Sequence, residues 1–250
     1  MKKKLKGVYL LVYSLMITLL HLPSAFAKLA PGPGLSKPAV LHSSPDDSIR
    51  MLSEHFRSIY DSLHLEVSGL SRQAFLYAQK GWQKLVKQGR LVNNSVMAII
   101  DFSQPSDQKR LYVIDMRNYR LLFHTLVAHG RNSGKEMASS FSNKPSSYKS
   151  SPGFYITGET YFGSNGYSLK LNGIEKGIND KAARRAIVMH GADYVDESYI
   201  GEQGYIGRSQ GCPAVPMEEA EDIIDVLKEG ACLFIYPGNR QYVTRSVLLH

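Results

Sequence analysis

From Ser95 to Tyr236 the chain returns again and again to short β-branched and aromatic runs, and this texture limits its fold more than any other feature. The runs are Val96–Phe102, Arg110–Asp115, Leu121–Val127, Gly153–Thr157, Tyr167–Leu171, Ala186–Met189 and Ala231–Tyr236, separated by turn-prone stretches such as Arg117-Asn118. Runs of this length and composition pack as strands, so the spacing predicts a meander. Met217 to Leu227, with Ala220, Ile223, Ile224 and Leu227 on one face and acids early, is the one helix expected inside this region. The expected architecture is mainly β, a sandwich or barrel with one helix, carrying its chemistry on loops.

The residues ahead of the strands divide differently. Lys2, Lys3, Lys4 and Lys6 precede an apolar run from Val8 to about Leu22, and Ala25-Phe26-Ala27 offers the small residues of a cleavage site, so residues 1–27 are expected to be an export signal. The apolar run is short for a membrane span and contains Tyr13 and His21, so no stable span is expected after cleavage. Residues 28–48, with Pro31, Pro33, Pro38 and Pro45, read as a linker. Residues 49–92 read as two helices joined around Gly69. One carries Ile49, Leu52, Phe56, Ile59 and Leu63; Ser71 precedes the other, with Phe75, Ala78, Trp82, Leu85 and Val86. This second stripe is expected to pack on the following domain, residues 93–250, with a partner or glycan surface as the alternative.

Loss of four lysines with the signal takes the net charge from +8 to +4. A mildly basic exported protein suits an anionic partner such as a cell-wall polymer. No dense Lys/Arg run with interleaved aromatics follows the signal, which argues against nucleic acid. Cys232 lies in an apolar strand-like run and Cys212 in a Gly/Pro/Ser turn, environments too different to suggest a disulfide. No cofactor is implied, and nothing in the sequence sets an oligomeric state.

The chemistry concentrates in Met189-His190-Gly191 and Gly207-Arg208-Ser209-Gln210-Gly211-Cys212-Pro213. Acyl transfer needs a thiol nucleophile, a base within reach and backbone N–H groups facing a developing oxyanion. Cys212 is the candidate nucleophile. His190 ends a predicted strand beside Gly191 and is the candidate base, with His129 as its rival. The amides of Gly211 and Cys212 are candidate oxyanion donors, and a nearby imidazole and these amides are expected to raise the thiolate fraction. Arg208 is placed to hold a substrate carboxylate or to brace the turn, and Ser209 to orient substrate. Tyr161 and Tyr167 lie in a glycine-rich stretch, Gly158 to Gly173, that reads as a flap over the site or as a loop packed by its own aromatics.

His190-Gly191 followed by Arg208-Ser209-Gln210-Gly211-Cys212-Pro213 resembles the L,D-transpeptidase catalytic domain of the YkuD type, and its murein L,D-transpeptidase-like branch most closely. Ile100-Asp101-Phe102-Ser103, Val127-Ala128-His129-Gly130, Ser150-Ser151-Pro152-Gly153-Phe154-Tyr155 and Gly166-Tyr167-Ser168-Leu169 fit in the same order. The resemblance implies an exported enzyme acting on peptidoglycan stem peptides. Its cysteine attacks the diaminopimelate carbonyl of a tetrapeptide, expels D-alanine and passes the acyl group to an amine. It further implies that a backbone carbonyl at the position of Gly191 orients the histidine. Two departures stand out: Gln210 replaces the family's histidine two before the cysteine, and Asp193 to Gly207 is longer than the common spacing. The competing functions are an L,D-carboxypeptidase using water, a non-catalytic wall-binding module, and a zinc peptidase built on His129, His190 and Asp193.

Overall fold

The computed structural model describes Glu54 and residues 59–250. The expected signal, the linker and the helical positions Ile49, Leu52 and Phe56 lie outside the described residues. Four helices are named here: α1 Arg72–Lys87, α2 Glu197–Gln203, α3 Ala220–Leu227 and α4 Arg240–Arg245. The strands are β1 Val96–Asp101, β2 Leu111–Asp115, β3 Arg120–Thr125, β4 Gly153–Gly163, β5 Gly166–Gly173, β6 Val188–Gly191, β7 Ala214–Val215 and β8 Cys232–Tyr236. Among the described residues these form one sheet in the order β3-β2-β1-β8-β4-β5-β6-β7.

The protein is mainly β, but its topology is not a continuous meander. β1 to β3 and β4 to β6 are two antiparallel runs, and β8 lies between them. It pairs parallel to β1, with Met97 opposite Cys232, and antiparallel to β4, with Phe154 opposite Phe234. The last strand is therefore the middle of the sheet. At the far ends, the Ala128 amide just past β3 donates to the Ala214 carbonyl of β7 at 2.8 Å, which draws the edges together into a nearly closed barrel.

Every residue of β1, β2 and β8 is buried, which explains their near-continuous apolar sequence. Alternate residues enter two cores. Ala98, Ile100, Val113 and Ile235 meet Ala220, Ile223, Ile224 and Leu227 of α3 on one face. Met97, Ile99, Ile114 and Phe234 meet Phe75, Ala78 and Leu85 of α1 on the other. The α1 stripe is thus core. Ser71 caps this helix by accepting from the Ala74 amide at 3.1 Å, and basic Lys84 and Lys87 occupy its last turn.

α1 approaches the sheet at Gly81, where an added Cβ would sit 2.0 Å from Cζ of Phe154. Phe154 has no room to yield, being fully buried and stacked on Phe234 with ring centroids 4.3 Å apart. Gly81→Ala is expected to destabilise by about 1–3 kcal/mol through overpacking, more than the ~1 kcal/mol that alanine adds as a helix former. Denaturant melts check this: a more stable variant would mean that helix propensity outweighs the clash.

Candidate active site

β6 and β7 run parallel with His190 opposite Ala214. Ala214 lies two residues after Cys212, so the turn ending at Pro213 sets the thiol beside the end of β6. His190 and Cys212 line one cleft of about 1040 Å³. The turn holds its shape through Ser209, whose hydroxyl donates to the Cys212 carbonyl at 2.6 Å and accepts the Gly211 amide at 3.0 Å. Gly211 has φ +123°, and a Cβ there would lie 2.8 Å from the Lys149 carbonyl. Conformation and space both demand glycine at this position.

His190 Nδ1 lies 2.8 Å from the Gly191 carbonyl. A carbonyl only accepts, so Nδ1 carries the proton and Nε2 is left with its lone pair. Burial pulls the imidazole below its usual value, against the opposing pull of the Gly191 carbonyl. Burial likewise pushes the Cys212 thiol up, opposed by a backbone hydrogen bond and by the Arg185 charge. The resting pair is therefore a neutral thiol and a neutral imidazole. This differs from the raised thiolate fraction expected of the turn amides, because desolvation at a site only 9% exposed outweighs them.

The remaining candidates separate. His129 is fully buried; its Nδ1 lies 2.7 Å from Arg110 Nη2 and its Nε2 3.3 Å from the Gly134 carbonyl. Guanidinium donates only, so Nδ1 accepts and Nε2–H faces the carbonyl. Burial and the Arg110 charge hold this imidazole down at about 4. Both nitrogens are occupied, and His129 does not line the cleft. Arg110, itself fully buried with its pKa drawn down to about 9 by desolvation, also donates to the Val127 and Gln104 carbonyls. The pair ties β2 to the segment after β3.

Arg208 lines the cleft but gives Nη1 to the carbonyls of Arg131 and Gly134 at 3.3 and 3.0 Å, so it braces the approach to the turn. The Ser209 hydroxyl is buried and engaged within the turn, although the residue lines the cleft. The Gly211 amide is likewise held by Ser209 at 3.0 Å. Tyr167 lines the cleft, its hydroxyl donating to Asp225 at 2.7 Å. Tyr161 does not line it. The expected flap is a continuous β4–β5 hairpin, with Gly163 opposite Gly166 and Phe162 opposite Tyr167; its tip, Ser164 to Tyr167, overhangs the cleft.

Tyr194 and Arg185 are among the cleft residues that sequence reasoning missed. Tyr194 packs where a Cβ on Gly207 would lie, 2.4 Å away, and burial and the neighbouring Cys212 push its phenol up to about 12. The long Asp193–Gly207 segment is not an open loop. It folds into α2, with the Asp196 side chain capping its start by accepting the Ser198 amide and Gly204 ending it at φ 83°. His129, His190 and Asp193 do not assemble: among the described residues no three His, Cys, Asp or Glu side chains are grouped to hold a metal ion. Both cysteines are free and buried.

The chain matches the family model for the L,D-transpeptidase catalytic domain over residues 66–236. No curated protein matches it in sequence. Similar solved structures include an L,D-transpeptidase from Mycobacterium tuberculosis H37Rv, 15% identical over 56% of this chain and 57% of that one, with a TM-score of 0.34. Another is an L,D-transpeptidase from Mycobacterium smegmatis, at 14% identity, 56% and 58% coverage and a TM-score of 0.34. A third, from Stackebrandtia nassauensis, is 14% identical over 74% of this chain and 78% of that one, with a TM-score of 0.34. The chain spans under three fifths of the length of the two mycobacterial structures.

Proposed function

We propose that this chain, which belongs to the L,D-transpeptidase catalytic domain family, crosslinks peptidoglycan stem peptides through a thioester on Cys212. The family and the cleft support a peptidoglycan transpeptidase-type role; the steps below are our reading of it. Sγ of Cys212 attacks the diaminopimelate carbonyl of a tetrapeptide stem as its proton passes to Nε2 of His190. The oxyanion meets the Cys212 amide. The intermediate collapses by breaking the C–N bond to D-alanine, whose amine takes the proton back from the imidazolium. A thioester remains; an amine of a second stem attacks it and gives its proton to His190, which returns it to the sulfur as the C–S bond breaks, freeing the thiol.

The observation that carries this reading is the Nδ1–H bond from His190 to the Gly191 carbonyl, because it leaves Nε2 as a proton acceptor in the cleft that holds the thiol. Since the neutral pair stores no charge, the proton moves as the bond forms. The cleft also suits the substrate class. Arg131, Arg185 and Arg208 line it against the acids Asp193 and Glu221, and stem peptides carry several free carboxylates. Storing the acyl group as a thioester conserves the energy of the broken amide where no nucleotide is at hand.

The family's action on the cell wall agrees with an extracytoplasmic location, and we read residues 1–27 as the signal that sends the chain there. Among the described residues no helix is long and apolar enough to cross a membrane. Incubating the purified protein with disaccharide tetrapeptides and resolving the products by mass spectrometry tests the reading. Crosslinked dimers with free D-alanine are expected. Tripeptide monomers with free D-alanine and no dimers would make water the acceptor, and an unchanged substrate would overturn the proposal.

A further inference from the structure

Arg185 is a charged side chain that takes no part in the proton transfers of the acyl-transfer scheme. It follows Ala183 and Arg184 in a 3-10 turn, is half-buried, and lines the same cleft as Cys212. Its guanidinium donates from Nη1 to the Ser142 carbonyl at 2.8 Å and the Ser151 hydroxyl at 2.5 Å. From Nη2 it donates to the Lys149 carbonyl at 2.6 Å and the Ser147 hydroxyl at 3.3 Å. All four acceptors are neutral, and among the described residues no carboxylate pairs with it. A partly desolvated cation whose hydrogen bonds are satisfied by neutral oxygens still lacks a counter-charge.

Its position indicates where that counter-charge forms. Nη2 lies 3.2 Å from where a Cβ on Gly211 would stand, one residue from the cysteine. The next residue, Ala186, takes the left-handed conformation at φ 53° and turns its carbonyl to 3.7 Å from Cys212 Sγ. The 3-10 turn thus presents both the guanidinium and the thiol's acceptor to one side of the cysteine.

We propose that Arg185 is a positioning residue that stabilises negative charge on Cys212 Sγ, the charge that develops as the thiol gives up its proton and again as the thioester breaks. The proposal rests on Cys212 being the nucleophile and not on the identity of the acyl acceptor. The direction of the electrostatics agrees: desolvation lowers Arg185 while Tyr155 and then the Cys212 thiolate raise it, and the Arg185 charge lowers a thiol that desolvation raises. The other charges around the cleft are arranged differently. His190 on β6 is held neutral by burial and Tyr194 stays protonated well above neutral pH. Arg131 stacks on Tyr148, 4.1 Å from the ring centroid, and Arg208 is bonded to two carbonyls. Asp193 and Glu221 are the acidic residues of the cleft lining.

The test is the pH dependence of iodoacetamide labelling of Cys212 in the full chain, with no peptidoglycan present. Arg185→Gln is expected to move the alkaline rise upward, because removing a nearby opposite charge disfavours the anion, so labelling at a pH on the wild-type rise falls several-fold. Ser151→Ala loosens the same guanidinium without removing its charge and should leave the profile in place. If Arg185→Gln does not fold, Arg185→Lys decides: it keeps the charge and loses the fork, and should label with a near-wild-type profile. Equal displacement of the profile in Ser151→Ala and Arg185→Gln, or loss of it in a folded Arg185→Lys, would reduce Arg185 to a brace for the 142–151 loop and overturn the proposal. A failure of dimer formation with the labelling shift intact would instead fall on the transpeptidase reading.

Discussion

Cys212→Ser is expected to lower turnover of tetrapeptide stems by about a thousandfold or more while leaving the fold in place. A serine hydroxyl is isosteric with the thiol and can donate to the Ala186 carbonyl that Sγ already faces at 3.7 Å. What it lacks is acidity. With a neutral imidazole as the only base, the much higher pKa of a hydroxyl leaves too little anionic character at the attacking atom. Cys232→Ser supplies the contrast. Its sulfur is fully buried in the cluster that also holds Phe154, Phe234 and Leu85, and a hydroxyl left unsatisfied there costs about 1–3 kcal/mol. Thermal melts should fall for Cys232→Ser and not for Cys212→Ser, and turnover per folded molecule should show the reverse. Turnover retained in Cys212→Ser would remove the nucleophile from the account.

His190→Ala is the second large effect, a loss of about 10²–10⁴ in rate. Its pH signature follows from the directions of the two shifts. The imidazole is drawn below its usual value, so in the wild type it is already a base at neutral pH, and activity fails only as pH falls through that lowered value. The thiol is pushed above its usual value, so without the imidazole labelling must wait for the thiol's own ionisation. Wild-type labelling should therefore rise at lower pH than that of His190→Ala, which should need stronger alkali. His129→Ala should not shift this profile, because both His129 nitrogens are held away from the cleft. It should act on stability by leaving Arg110 buried without that acceptor. A profile unchanged in His190→Ala and lost in His129→Ala would exchange their roles.

The pieces of this site differ in how openly the sequence displays them. A histidine at a strand end and a cysteine in a Ser/Gly/Pro turn are local features, and the parallel pairing of His190 with Ala214 converts sequence neighbourhood into spatial neighbourhood. The strand runs are equally local. What brings β8 between β1 and β4 is pairing across long separations, which leaves no periodic trace; only the unbroken apolar character of Cys232–Tyr236 hints that both its faces are covered. Tyr161 lies off the cleft for a reason the sequence does contain. With a tight turn at Gly163–Gly166, period-2 alternation pairs Phe162 with Tyr167 and sends Tyr161 to the opposite face. The Ser/Gly composition marks the turn that holds Ser209 and Gly211, but whether their polar atoms face substrate or one another depends on a hydrogen bond no pattern reveals. Arg185 is hidden more deeply. In Lys181-Ala182-Ala183-Arg184-Arg185 it reads as one of a solvated basic pair, and only the return of the 142–151 loop gives its guanidinium four partners beside the cysteine.

α2 marks the boundary between these cases. Its capping aspartate and terminal glycine are in the sequence at Asp196 and Gly204, but seven residues with Gly201 in the middle give too weak a helical signal to stand on their own. Its presence still matters for the cleft, because the chain between β6 and the cysteine turn carries Tyr194 against Gly207 and so forms one wall.

The central claim is a covalent one, that the acyl group of a stem peptide resides on Cys212. Rapid acid quenching of the protein with a disaccharide tetrapeptide, followed by intact-mass measurement and peptide mapping, tests it directly. The account predicts an adduct equal to the tetrapeptide substrate less D-alanine, located on the peptide containing Cys212, labile to hydroxylamine and absent from Cys212→Ser. Product formation with no adduct at Cys212, or an adduct that maps to Cys232 or Ser209, would contradict it.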